Sequence, residues 1–143
     1  MRRKYFFIIL TVFVLAIFSV YWFKLRRTPY SIAEVLTGIE LKKELKISTF
    51  KDDWGPNGDG ESLIIFSLSS EQQVGLQDIC IQKGYQKLPI KEDLPDYLIY
   101  NYIAKSDSLG YYSITIDKND ERNYNISILS LRKRVFLVYN VIN

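Results

Sequence analysis

The feature that most constrains this chain is an apolar run of 19 residues from Tyr5 to Phe23, which contains no charge, glycine or proline. As a helix that rises about 1.5 Å per residue, the run is about 28 Å long, close to the hydrocarbon thickness of a bilayer. Tyr5 at one end and Tyr21 and Trp22 at the other suit the headgroup level. The run therefore predicts one transmembrane helix that contacts lipid from Tyr5 to Phe23. Basic residues flank it: Arg2, Arg3 and Lys4 before it, and Lys24, Arg26 and Arg27 after it.

The end of the run distinguishes an anchor from a cleaved signal. Cleavable signals have a shorter apolar run, about 7–15 residues, and a small-residue site soon after it. Here Tyr21, Trp22 and Phe23 lead directly into basic residues, so we expect an uncleaved signal-anchor. The flanking cations are equal in number, but a cation-rich tail of four residues is costly to translocate. We therefore expect the N-terminus in the cytoplasm and the following domain outside it.

The basic pI of 8.9 belongs to this anchor and not to the rest of the chain. Six of the 19 Lys and Arg residues lie in positions 1–27, where no acidic residue occurs, and the remainder has a net charge of −3. No dense basic stripe remains that would neutralise nucleic-acid phosphates. The abundance of Ile, Asn and Lys indicates a bacterial source. The predicted location is therefore the bacterial plasma (inner) membrane, with the domain in the cell envelope.

The remaining residues predict a linker with a short helix at 28–43 and a small α+β domain at 44–143. That domain has a five-stranded, mainly antiparallel sheet, one main helix and one or two short helices. Pro29 is interpreted as a helix stop, and Ser31 with Glu34 as a capping box that opens the short helix before Gly38. The predicted elements up to the main helix are a short helix at 32–37, a strand at 44–52 with Leu45, Ile47 and Phe50 inward, a loop at 53–60, a strand at 62–68, and a helix that Ser70 caps and that runs to about Lys83. After it we predict a loop at 85–94, a short helix at 95–103 with a strand as the alternative, and strands at 111–117, 124–130 and 134–141.

The single cysteine and the missing histidine restrict the chemistry. Cys80 has no partner in the chain for a disulfide, and it shares a predicted helix face with Leu76 and Ile79. We interpret it as a core residue, with a reactive thiol as the alternative. Histidine, the commonest general base and transition-metal ligand, is absent. No cofactor is expected.

The loop after the first predicted strand is the first candidate binding site. Its acidic and amide side chains are oxygen donors of the kind that calcium prefers. The pattern departs from an EF-hand loop, because Gly55 and Ile64 stand at its third and twelfth positions. Three interpretations stay open: a simple connection between strands, a partner-binding loop, and a calcium site; we expect no metal. The candidate binding residues here are Asp53, Trp54, Asn57, Asp59 and Glu61.

A group of tyrosines close together in the sequence is the second candidate surface. Tyrosine combines rigid contact area with a polar tip, and it is enriched at interfaces. The alternative is that half of these side chains belong to the core. The candidate binding residues are Tyr97, Tyr100 and Tyr111, with Tyr102 and Tyr112 nearby in sequence.

The residue types favour binding over catalysis. The sequence contains no nucleophile elbow, phosphate-binding glycine loop, zinc-protease motif or Cys-x-x-Cys. We therefore predict a non-catalytic, membrane-anchored binding domain with a protein partner, for example in an immunity- or inhibitor-like role. One alternative is a small envelope hydrolase that uses paired carboxylates. Another is a structural subunit of a membrane assembly.

The loop and its surroundings also resemble a family of small, uncharacterised bacterial proteins that carry a signal, a lipid anchor or a single membrane helix. The resemblance covers about 50–143, although Trp54, Pro56 and Asn57 depart from the usual loop residues. It implies a tethered α+β domain and adds no activity. The matching features are D-x-x-G-x-x-G-D-G and the apolar strand after it, from Asp52 to Phe66, then Leu88-Pro89, and a late Gly110-Tyr111-Tyr112.

Overall fold

An N-terminal helix of 25 residues precedes an α+β arrangement of two further helices and six strands. The computed structural model describes residues 2–92, 102 and 107–143. The short helix predicted at 95–103 lies outside these residues, except for Tyr102. The described elements are α1 (Arg2–Arg26), α2 (Pro29–Thr37), β1 (Lys46–Trp54), β2 (Gly60–Ser67), α3 (Ser70–Gln82), β3 (Gln86–Lys87), β4 (Gly110–Ile116), β5 (Tyr124–Ser130) and β6 (Val135–Ile142).

The strands form one antiparallel sheet in the order β1-β2-β6-β5-β4-β3. The predicted α+β class and the meander of the last three long strands are confirmed. The predicted strand count of five is wrong, because the segment predicted as a loop at 85–94 contains β3. That strand has only two residues, both polar and exposed, so no apolar alternation marks it in the sequence. Gln86 pairs with Tyr112, and Lys87 pairs with Tyr111.

Both faces of the sheet are buried, which explains why β6 has apolar residues in succession. Phe136, Leu137, Val138 and Tyr139 are all buried, and β6 lies between β2 and β5 as a central strand. The face that carries α2 and α3, hereafter the helix face, includes Ile64, Phe66, Leu129, Phe136 and Val138. The opposite face includes Leu63, Ile65, Leu88, Tyr112, Ile126, Ile128, Leu137 and Tyr139.

The two domain helices begin earlier than the sequence predicts. Pro29 does not stop a helix but opens α2, since a proline in the first turn removes only a backbone N–H that has no helical partner. The capping box is formed by Thr28 with Ser31, and the C-cap is Gly38 in the left-handed conformation with φ of 62°, as predicted. In α3 the N-cap is Ser69, one residue before the predicted Ser70.

Residues 28–43, predicted as a linker with a short helix, contribute to the core of the helix face. Ala33, Ile39 and Leu41 are buried there, and the Tyr30 ring lies 5.5 Å from the Phe66 ring, centroid to centroid. Tyr30 also donates through its hydroxyl to the Leu45 carbonyl at 2.6 Å. The short helix therefore docks on the sheet.

A β-bulge in β1 changes which of its residues face the helices. Ile47 pairs with Phe66 and Thr49 with Ile65, so Ser48 has no opposite residue. After the bulge, even-numbered residues share the face of Ile47. Of the predicted inward residues, Leu45 is buried and Ile47 is half-buried, but Phe50 is 41% exposed on the outermost strand.

Cys80, on the sheet-facing side of α3, is fully buried and belongs to the core of the helix face, as predicted. Burial raises the pKa of its thiol to about 12, so the reactive thiolate is scarce at neutral pH. Leu76 is buried beside it, whereas Val74 and Ile81 on the outer side of α3 are exposed. The predicted apolar face of α3 is therefore the one that packs.

The side chains of α1 that the structure describes, those of Tyr5 and residues 8–19, are all exposed. The large apolar residues among these are between 47% and 69% exposed. No helix among the described residues reaches the length and hydropathy that crossing a membrane requires. The transmembrane assignment of the apolar run therefore stays a prediction.

Candidate functional site

A polar cluster around Asp52 joins the end of α1 to the sheet. Arg27 donates from Nε to Oδ2 of Asp52 at 2.9 Å and from Nη2 to Oδ1 at 2.7 Å. Trp54 donates from its indole nitrogen to Oδ1 at 2.7 Å, and the hydroxyl of Ser62 donates to the same oxygen at 2.5 Å. Such a two-point arginine–carboxylate contact fixes geometry as well as charge. The cluster therefore attaches the residue directly after α1 to two strands.

The bulge in β1 is what turns Asp52 and Trp54 toward this cluster. Because Ser48 is an extra residue, Asp52 lies on the helix face, opposite Ser62 on β2. Ser62 in turn lies opposite Asn140 on β6. Asp52, Ser62 and Asn140 thus form a polar row across three strands, next to the apolar core of the helix face. Without the bulge, Asp52 would lie on the other face.

The electrostatics of the cluster favour an ionised Asp52. Burial alone would raise the pKa of its carboxyl, but hydrogen bonds from Arg27, Ser62 and Trp54 together outweigh it and hold that pKa below the ordinary value. The side chains of Arg27 and Asp52 are 30% and 15% exposed, so water screens the pair only in part. The guanidinium carbon of Arg27 also lies 4.9 Å from the Trp54 ring centroid, in a cation–π contact. Arg27 is therefore held by both a carboxylate and an indole ring.

An open groove of about 380 Å³ lies beside the cluster, between α2 and the sheet. We call it the α2 groove. Its α2 wall is mainly apolar, with Ile32, Val35 and Leu36, and its other residues include Trp54, Ser62 and Asn140. Val35 is 83% exposed, the highest exposure among the large apolar side chains of the described residues. The lining of the α2 groove is therefore mainly apolar, with a small polar part next to the Asp52 cluster.

The candidate residues of the predicted loop do not form one site. β1 extends to Trp54 and β2 begins at Gly60, so the loop is a hairpin turn whose tip includes Asn57 and Asp59, both exposed. Trp54 is half-buried on the helix face. Glu61 is half-buried on the opposite face, where the Tyr139 hydroxyl donates to its carboxylate at 2.7 Å. The hairpin tip offers exposed polar groups and no enclosed cavity.

The acidic residues of the hairpin are separated by the pleat of the sheet. Asp53 pairs with Glu61 on one face, whereas Asp52 lies on the other. Within the described ranges, no group of three or more acidic or sulfur-bearing side chains is arranged to hold a metal ion. The interpretation of this segment as a connection between two strands fits the geometry, and the partner-binding interpretation stays a prediction for its exposed tip.

The tyrosines that the structure describes lie mostly against the core. Tyr111 is half-buried and packs on the helix face, and Tyr112 is fully buried on the other face, where it donates to the Gln86 side chain at 2.9 Å. Tyr102 is partly buried and packs against the core of that same face. Tyr97 and Tyr100 lie outside the described residues. The described tyrosines of this group therefore favour the interpretation that they belong to the core.

A second cavity, of about 280 Å³, lies near the start of α3. Its lining includes three carboxylates, Glu40, Glu44 and Glu71, and all three residues are exposed. Leu41, Leu45, Leu76 and Ile79 form the apolar part of the lining. The cavity therefore joins an apolar floor to carboxylates that face water.

Sequence reasoning misses Arg27, Ser62 and Asn140 as site residues. Arg27 is indistinguishable in sequence from the other cations that flank the apolar run, and it lies 25 positions from its partner Asp52. Asn140 interrupts the apolar run of β6 and Ser62 directly precedes that of β2, and these are the only sequence signals that they give. A polar residue inside a buried strand needs a hydrogen-bond partner, so such interruptions mark positions worth testing.

Comparisons of the chain with protein-family models, with curated proteins and with solved structures find no match. The resemblance to tethered bacterial proteins, carried by the residues from Asp52 to Phe66, therefore stays a prediction. The function of the chain is therefore inferred from the geometry of the Asp52 cluster, the α2 groove and α1.

Proposed function

We propose that this chain is a single-pass membrane protein whose α+β domain is a non-catalytic binding domain held at the bilayer surface. One observation carries the proposal. A helix with exposed apolar side chains ends at Arg26, and the next residue is fixed to the sheet through Asp52. A helix that is apolar all round is stable in lipid or under a protein partner, because water does not favour such a surface.

The exposed side chains of α1 support insertion into lipid. Between Ile8 and Ser19 they include no charge, and the Ser19 hydroxyl donates to the Leu15 carbonyl at 2.8 Å, which satisfies it within the helix. The structure describes only 13 of the side chains of α1. The proposed membrane-spanning segment is the whole apolar sequence from Tyr5 to Phe23, which also includes side chains outside the described residues.

The short connection supports a fixed position of the domain relative to α1. Only Arg27 and Thr28 separate α1 from α2, and Arg27 makes the two-point contact with Asp52. Thr28 is the N-cap of α2, where its side chain accepts from the Ser31 backbone. Both connecting residues are thus hydrogen-bonded, which leaves little freedom for a flexible tether.

Alkaline carbonate extraction of membranes that contain the full chain tests the anchor. We expect the wild-type chain to stay with the membrane. A double substitution, Val12→Arg with Leu15→Arg, is expected to release it, because each central charge costs about 3 kcal/mol on insertion scales. A Val12→Leu and Leu15→Val variant is the matched control and should stay. Release of the wild-type chain by carbonate would contradict the anchor.

A protein partner is proposed for the exposed hairpin tip, where Asn57 and Asp59 face solvent. Affinity purification of the full chain from detergent-solubilised membranes is the test. We expect Asp59→Arg to lose the recovered partner, because it reverses a charge at the proposed contact. Arg132→Glu, a charge reversal in the exposed turn at the opposite end of the sheet, is the control and should retain it. Equal recovery with both variants would contradict the hairpin site.

The alternatives from other classes have less support in the geometry. The carboxylate oxygens of Asp52 already accept hydrogen bonds from Arg27, Trp54 and Ser62. A general acid or base needs an oxygen directed at substrate. The carboxylate-hydrolase and structural-subunit hypotheses stay alternatives.

An extracytoplasmic domain is part of the proposal, and protease shaving of spheroplasts that left the domain uncut would contradict it.

A further inference from the structure

We propose that the α2 groove receives an anionic phospholipid of the leaflet at which α1 ends, so that the domain docks on the bilayer surface through α2. This inference rests on the proposed membrane insertion of α1. It adds a second lipid contact, outside α1, and assigns it to the residues Ile32, Val35, Leu36 and Trp54.

The first step is the length of chain between α1 and α2. α1 ends at Arg26 and α2 begins at Pro29, so the connection spans at most about 11 Å even when fully extended. Arg27, within that connection, also lines the α2 groove. If α1 ends at a membrane surface, the groove is therefore within reach of the lipid headgroups and the upper acyl chains.

The second step is the lining of the α2 groove. Val35 is 83% exposed on a helix whose opposite side packs on the sheet through the fully buried Ala33. The lining is mainly apolar, and Ser62 and Asn140 contribute a small polar part of it. A phospholipid has apolar chains beside a polar glycerol and phosphate, so its upper acyl chains match the apolar lining and its glycerol matches the polar remainder.

The third step is charge complementarity. The first acidic residue in the chain is Glu34, and the sequence before it contains six cations. Two of these cations, Lys24 and Arg26, directly precede the junction of α1 and α2 in sequence, and a third, Arg27, is paired with Asp52. Basic segments beside a membrane are attracted to anionic headgroups. In sequence, this positive charge lies close to the apolar wall of the α2 groove. The combination favours an anionic lipid surface over a protein partner that carries an acidic patch.

Trp54 fluorescence in the full chain is the test, because Trp54 lines the groove and the sequence has only one other tryptophan, Trp22. The Trp22→Phe variant leaves Trp54 as the single reporter. It is reconstituted into vesicles of phosphatidylcholine and phosphatidylglycerol in equal parts, with bromine near the glycerol end of the acyl chains. We expect the brominated lipid to quench Trp54, and to quench it less in vesicles of phosphatidylcholine alone.

Two matched substitutions in the Trp22→Phe chain identify the surface. Val35→Asp is expected to lower the quenched fraction by about two-fold or more, since interfacial binding scales with buried apolar area. Val74→Asp is the control and should leave quenching unchanged, because this exposed valine lies on α3, which follows the opposite end of β2. Equal loss in both variants would overturn the assignment to the α2 groove.

The outcomes separate this inference from the proposed anchor. A chain that resists carbonate extraction but whose Trp54 is not quenched overturns the docking inference and leaves the anchor standing. A chain that carbonate releases from the vesicles overturns both. Equal quenching with and without phosphatidylglycerol would overturn the preference for anionic lipid.

Discussion

Asp52 is the residue on which the connection between helix and domain depends. Its carboxylate accepts hydrogen bonds from Arg27, Trp54 and Ser62, which come from three different segments of the chain. Replacing this carboxylate by a neutral amide would remove the negative charge beside the partly buried guanidinium of Arg27 and place an NH2 donor against its Nε, whereas the Trp54 indole keeps its contact with the Ser62 hydroxyl at 3.2 Å. This change is expected to lower the free energy of unfolding by more than the loss of a fully exposed ion pair would. The reason is that polar groups without a partner in the folded state have also lost their contacts with water.

The substitution Asp52→Asn is therefore expected to destabilise the protein by about 1–3 kcal/mol. Thermal unfolding of the full chain in detergent measures it. Asp53→Asn, at the next position, is the matched control, because Asp53 is exposed on the opposite face of β1. We expect that control to lie within about 0.5 kcal/mol of the wild type. Equal destabilisation by the two substitutions would contradict the role given to Asp52.

The lowered pKa of Asp52 also predicts a pH dependence of stability. A carboxyl whose pKa is lower in the folded state stabilises the fold above the unfolded value, and that contribution is lost as the pH falls through the folded pKa. The difference in unfolding temperature between the wild type and Asp52→Asn should therefore be largest near neutral pH and shrink below about pH 4. A difference that stays constant down to pH 3 would contradict this assignment.

At the scale of elements, the contact between β4 and β5 leaves no room for a side chain at Gly110. A Cβ at this position would overlap the carbonyl oxygen of Leu129, and its φ of 150° is one that other residues rarely adopt. The carbonyl of Gly110 also accepts from the backbone of Leu88 at 3.1 Å. Gly110 thus lets the start of β4 lie close to both neighbouring segments.

We expect Gly110→Ala to destabilise the protein by about 2 kcal/mol or more, because the strands must separate to admit the methyl group. Urea unfolding of the full chain in detergent measures the change. Gly75→Ala is the control, since Gly75 lies within α3 and a Cβ there would meet open space. That substitution should instead add about 0.5–1 kcal/mol of stability. Two substitutions of the same sign would contradict the structural reason given for Gly110.

Elements with a strong local pattern are the ones that sequence predicts well. β5 has the predicted bounds, because its alternation and the polar turns around it are local signals. β3 has no such signal, and the start of α2 is missed because Pro29 is compatible with both a helix stop and a first turn. Boundaries therefore depend on tertiary contacts that a short window of sequence does not contain.

The candidate site shows the same limit more strongly. The exposed hairpin tip at Asn57 and Asp59 is predictable from its glycines and proline. The pairing of Arg27 with Asp52 joins residues 25 positions apart, and the bulge at Ser48 decides which face of β1 receives Asp52. Neither the long-range pairing nor the bulge follows from residue type or spacing alone.

At the scale of the whole molecule, the proposal is that an apolar helix and a folded domain are joined without a flexible linker. The helix would keep the domain at a lipid surface, and the α2 groove would add a second contact with that surface. A partner would then meet the hairpin tip in two dimensions, on a domain whose orientation is fixed by Arg27 and the capped start of α2.

Hydrogen–deuterium exchange of the full chain in phosphatidylglycerol-containing nanodiscs tests this account most directly. Amides of an isolated helix in water exchange rapidly, whereas those of a helix in hydrocarbon are shielded from solvent. We predict that peptides covering residues 8–19 stay protected for hours, while the hairpin tip at 55–59 exchanges within seconds. Exchange of residues 8–19 as fast as that of the hairpin tip would contradict a lipid-embedded α1.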